Sequence, residues 1–236
     1  PVGEVPYTSF SSKTASLYLA YNLTEDTKIG LTADTYELDF MSGVQDASYE
    51  DFFVDVPKWK RTKGAVFIES KNLTDNLVRL RADAFYQKTN KDMHNRVYMP
   101  QSMRMDNYAE NELGQTGVSV QSDWQIGSRH YLIAGYEFLY DDLTKADSHY
   151  DLVPPMPVPM TIRKANENDG YQQMHAVYLA METALPYDVS LNYGVRYTWV
   201  NSEVSSASGS STQMGPGSPA MPEMQDEGAK SSSDSR

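Results

Sequence analysis

The chain of 236 residues contains no cysteine. A disulfide framework and a cysteine-ligated metal site are therefore excluded. No run of about 18 apolar residues occurs, so no segment qualifies as a transmembrane helix. Positive charge is scarce. The 20 Lys+Arg are outnumbered by 32 Asp+Glu, and the formal net charge of -12 argues against nucleic acid as a partner. No nucleophile elbow, phosphate loop or HExxH motif is found, and no enzyme is expected. The chain starts at Pro1 with no basic-then-apolar leader, so it reads as a mature form or a fragment.

What is present is alternation with a period of two. In 189–199, Val189, Leu191, Tyr193, Val195, Tyr197 and Trp199 share one face, against Ser190, Asn192, Gly194, Arg196 and Thr198. Similar rows run through 15–23, 78–86, 118–126, 130–140 and 177–181. Ile29, Leu31 and Ala33 alternate, then the apolar row moves to Tyr36, Leu38 and Phe40, which predicts a bulge near Thr35. Residues 65–68 form a short mixed run that completes a set of eight strands. The segment 205–236 is different: Ser, Gly and Pro dominate it, and it is expected to be a disordered loop or tail. The strand-forming part is then 1–204.

The connections alternate in length. Short turns are expected at 24–26, 73–76, 127–128 and 185–188, and long loops at 41–60, 93–112 and 146–168. In an antiparallel meander this puts all short turns at one end and all long loops at the other. Transmembrane β-barrels are built this way, with strands of about 9–11 residues crossing the bilayer. The fold class expected is all-β: an antiparallel transmembrane β-barrel meander of about eight long strands. Trp124, Tyr131 and Tyr187 lie near the short turns, and Tyr86, Tyr140, Tyr197 and Trp199 near the long loops, as two interfacial girdles would. A complete eight-stranded outer-membrane barrel with a structural or adhesive role is an alternative, as is a soluble β-barrel binding module. A mean hydropathy of -0.56 does not decide between them, because it averages an apolar face, a polar face and acidic loops.

Particular strands carry a resemblance. Leu191-Asn192-Tyr193-Gly194-Val195-Arg196-Tyr197 resembles the GxRY strand of TonB-dependent outer-membrane receptors, preceded by the strand Ala176-Val177-Tyr178-Leu179-Ala180-Met181-Glu182. Ala84-Phe85-Tyr86-Gln87-Lys88, Ala134-Gly135-Tyr136-Glu137 and the run 28–36 fit the same barrel region. Their order is similar to that of haem and haemoglobin receptors. That family has a barrel of about twenty-two strands around a plug. The resemblance implies a partial barrel in the bacterial outer membrane that takes part in active uptake of haem or a ferric siderophore. It implies lipid and lipopolysaccharide around the barrel. It also implies a TonB complex acting through a plug domain absent from this chain, and a haem protein or iron chelate as ligand source. No covalently bound cofactor is expected.

Candidate ligand-binding residues lie where the long loops are expected: His94, Tyr98, Met99, Met103, Met105 and His149. Loop histidines ligate haem iron in the resembling receptors, and an imidazole is a sensible axial ligand. Thioethers suit haem contact or Cu(I), so a methionine-lined copper site with His94 is an alternative. Tyr98 and Tyr108 are placed to stack on a planar ligand. The row Arg79, Arg81, Asp83 and Arg196 is expected to face the lumen.

Overall fold

The computed structural model describes residues 8–44, 52–99, 103–153, 162–214, 221–222 and 231–235. Eight long strands follow one another as a meander: β1 (Thr8–Asn22), β2 (Thr27–Val44), β3 (Phe52–Lys71), β4 (Leu77–Met99), β5 (Met103–Ile126), β6 (His130–Val153), β7 (Ile162–Leu185) and β8 (Val189–Met214). Each pairs antiparallel with the next. Two short strands, β9 (Met221–Pro222) and β10 (Ser231–Ser235), pair back onto β8. Among the described residues β1 pairs only with β2, so the sheet is open.

The short turns form as their residues require. Thr24 and Thr74 occupy the same place in two similar turns, Asn22-Leu23-Thr24-Glu25-Asp26 and Asn72-Leu73-Thr74-Asp75-Asn76. Each threonine hydroxyl accepts a backbone N–H three residues on, from Thr27 at 3.0 Å and from Leu77 at 2.9 Å. The turn after β5 uses Gly127 at φ 61°, where a side chain would be strained.

The strands are longer than the alternation suggests, from 15 residues in β1 to 26 in β8. The expected loops 93–112 and 146–168 are largely ladder: β4 runs on to Met99, β5 begins at Met103, and β6 continues to Val153. The boundary expected at 204 falls inside β8, which continues to Met214. The reason is physical. Past the apolar band both faces of a strand meet polar surroundings, so the period-two signal fades while backbone pairing continues. The short run at 65–68 is the middle of β3, a 20-residue strand. No bulge occurs near Thr35. The β1–β2 register is unbroken there, and the irregularity lies between Leu38 and Phe40 against β3. The apolar row therefore changes face while the backbone stays regular, and Leu38 is buried on the polar side of the sheet.

One row of register partners crosses the whole sheet through Tyr21, Ile29, Ile68, Ala82, Val120, Tyr136, Val177 and Tyr197. Tyr21 stands one residue from the turn end of β1, and Tyr197 eight residues from the turn end of β8. The row thus climbs seven residues in seven steps. With a rise of about 3.3 Å per residue and strands about 4.8 Å apart, that stagger is a tilt of about 35°, the value of closed barrels. The apolar row of β8 then spans about 27 Å along the normal, close to the apolar band of outer-membrane barrels.

The two faces differ in kind. Leu19 and Val195 are 56% and 66% exposed, whereas Glu69 and Asp123 on the other face are 6% and 2% exposed. Buried carboxylates opposite bare aliphatics are inside-out for a water-soluble sheet and right for a wall between lipid and a wet lumen. On the polar face three rings occupy the space over glycines of the neighbouring strand: Phe67 over Gly30, Phe85 over Gly117 and Tyr178 over Gly135. A Cβ at any of these glycines would meet the ring. These pairs cover backbone that glycine would leave bare.

The faces make opposite predictions for adjacent residues. Val118→Arg puts a charge on the apolar face and should lower stability in lipid vesicles by about 2–4 kcal/mol, read from urea unfolding. Ser119→Arg, on the polar face, should change it by under about 1 kcal/mol. Equal effects of the two would contradict the assignment of faces.

Candidate functional site

Near the short turns the polar face holds a connected ion-pair network. Glu69 is approached by Lys28 at 3.0 Å, Arg79 at 3.3 Å and Arg81 at 3.3 Å. Arg79 also reaches Asp123 at 3.2 Å, and Arg81 reaches Asp83 at 2.6 Å. Asp123 further accepts from Gln121 at 2.8 Å and from the Tyr131 hydroxyl at 3.0 Å. Three cations and three carboxylates balance, which makes burial of Glu69 and Asp123 tolerable. Arg196 joins Glu137 at 2.5 Å. Arg79, Arg81, Asp83 and Arg196 therefore lie on the polar face together, as their alternation suggests. Tyr131 does not belong to a lipid-side girdle, because its hydroxyl points inward to Asp123.

Rings cap this wall with cations. Arg81 stands 4.6 Å from the Phe67 centroid and Arg196 5.8 Å from that of Tyr178.

On the other face, beyond the apolar band, a ladder of rings crosses four strands. Phe53 meets His94 edge-on at 4.9 Å, His94 stacks on Tyr108 at 4.2 Å, and Tyr108 stacks on His149 at 4.7 Å. Beside it Asp106, 3% exposed, is held by Arg96 at 2.6 Å, Arg104 at 2.9 Å and His94 at 3.2 Å. An ionised carboxylate only accepts, so His94 Nε2 carries the hydrogen of that bond. Burial pushes the Asp106 carboxyl up, but hydrogen bonds from Arg96 and His94 and the charges of Arg96 and Arg104 outweigh it and hold it below the usual value.

The six candidate residues do not converge on one pocket. His94 and His149 share the outward face with Tyr108 between them. Met105 pairs with Val97 on the inward face, as Met93 does with Ala109. Tyr98 pairs in register with Arg104 and Met99 with Met103, and the side chains of Tyr98, Met99 and Met103 lie outside the described part. The proline run 154–159 also lies outside it. No group of three or more His, Asp or Glu able to hold a metal occurs among the described residues. Phe53 and Asp106 escape sequence reasoning. A signal for Asp106 lies in the β4–β5 hairpin, whose pairs are symmetric about residue 101, so His94 must face Tyr108 and Arg96 must face Asp106.

No protein-family model matches the chain, and no curated protein matches its sequence. Solved structures do match. One is a copper transporter, OprC, which aligns with 88% of this chain at 14% identity and a TM-score of 0.51. The fold is that of an outer-membrane β-barrel wall. The chain spans 36% of the length of that transporter's chain, about a third.

The Asp106 cluster predicts a local acid response. Its folded pKa is depressed, so its stabilisation is full above the unfolded value near 4 and is lost as pH falls through the lower folded value. Protection of the amides at 94–96 and 104–108, measured against their intrinsic exchange rates, should therefore fall below about pH 4. Asp106→Asn should make these amides exchange faster at pH 7, by about 2 kcal/mol of local stability, and flatten the acid response. An unchanged acid response in that variant would rule out Asp106 as its source.

Proposed function

We propose that this chain is a stretch of the wall of a transport barrel in the bacterial outer membrane. One observation carries the reading: a single staggered sheet with ion-paired charges buried on one face and bare aliphatics on the other. An open sheet edge at β1 fits a larger barrel better than a closed eight-stranded one. In this reading lipid and lipopolysaccharide surround the apolar face, and the polar face lines the lumen. The barrel works in a TonB-dependent receptor, with a plug domain and the TonB complex as partners, and imports an iron compound, haem or a ferric siderophore. The GxRY-type strand 191–197 and the order of its neighbours support this. His94 and His149 then contribute from the outer surface, and Met93 and Met105 from the lumen side.

A second reading has copper as cargo. Met93 and Met105 on the lumen face offer the thioethers that Cu(I) favours, and one of the matching solved structures is named a copper transporter.

Deletion of the coding sequence separates the two. On the first reading, cells lose growth on haem or a ferric siderophore as sole iron source, deletion of TonB has the same effect, and cellular copper is unchanged. A fall in copper with normal iron growth supports the second reading. Normal iron growth and normal copper would contradict both.

A further inference from the structure

The rings over glycines on the polar face follow one rule. Phe67, Phe85 and Tyr178 are the register partners of Gly30, Gly117 and Gly135. Each ring is topped by a cation in turn: Arg81 at 4.6 Å from the Phe67 centroid, Lys63 at 4.3 Å from that of Phe85 and Arg196 at 5.8 Å from that of Tyr178. Glycine, ring and cation thus stack three times on this wall.

Gly170 of β7 breaks the rule. It lies on the same face, and its register partners are Leu143 and Val204, both aliphatic. No ring covers it, and a Cβ there would meet the Glu203 carbonyl at 2.6 Å, so the residue cannot fill the space itself. The result is a recess of about 500 Å³ over Gly170. Leu113, Leu143 and Val204 wall it with aliphatic carbon, and Asp141, Gln172 and Asn168 bring polar groups to its rim. The cation is missing as well. Glu69, Asp83, Asp123 and Glu137 of this face each meet an arginine. Asp141 accepts from Gln115 Nε2 at 2.9 Å and meets no Lys or Arg among the described residues.

We infer that the Gly170 recess is a binding site for an organic cation with a flat or aliphatic body. The ligand supplies from outside the two parts that the chain supplies at the other three glycines. Its body packs over Gly170 between Leu143 and Val204, and its ammonium or amidinium group donates to Asp141. The inference goes beyond the transport reading, and growth on iron leaves it unaffected.

The test is calorimetric titration of the full chain, refolded in detergent, with benzamidine, a ring bearing an amidinium, and with its neutral analogue benzamide. Benzamidine should bind, and benzamide at least about tenfold more weakly. Asp141→Asn should weaken benzamidine at least about tenfold. Asp142→Asn removes the same charge from the opposite face and should leave affinity within about twofold. Leu143→Phe places a ring at a register partner of Gly170, as at the other three glycines. It should abolish binding without lowering the urea midpoint. Absence of benzamidine binding, equal binding of benzamide, or equal weakening by Asp141→Asn and Asp142→Asn would overturn the site. A folded Leu143→Phe variant that binds benzamidine as before would place the ligand elsewhere and overturn it too.

Discussion

A single layer of sheet has no second layer to bury its faces against. Each strand must therefore satisfy two surroundings at once, one apolar and one polar, through alternate residues. This constraint organises the whole chain. It puts Leu19, Val66, Val118, Leu179 and Val195 on one side. It puts Glu69, Arg79, Arg81 and Asp123 on the other, where they are tolerated only because each carboxylate meets a cation. The seven-residue climb across seven steps is the second half of the constraint, since a sheet that must close needs tilted strands.

Alternation alone makes the spanning part of the strands legible in the sequence. The 189–199 row keeps its faces, as do Arg79, Arg81, Asp83 and Arg196. Legibility stops where the physical cause of the pattern stops. Beyond the bilayer nothing apolar is demanded of the outward face, so the outer halves of β4, β5 and β6 read as loops although their backbone ladder is continuous. Leu38 misleads for a related reason. An apolar residue on the polar face imitates a shifted backbone, whereas Leu38 packs inward in an unbroken β1–β2 register.

The candidate site is legible in residue type and not in geometry. His94 and Met105 share the β4–β5 hairpin and His149 stands on the next strand, but parity sends both histidines outward and Met105 inward. Proximity in sequence is a poor guide on a strand, because neighbours face opposite surroundings.

The absence of cysteine offers the most direct test of the two-faced wall. Single cysteines placed in turn at 191–198, labelled in lipid vesicles, report which surroundings each position meets. Labels at 191, 193, 195 and 197 should be quenched by a lipid-phase quencher, and cysteines at 192, 194, 196 and 198 should react with a water-soluble reagent. Uniform reaction with the aqueous reagent along the strand would contradict the account.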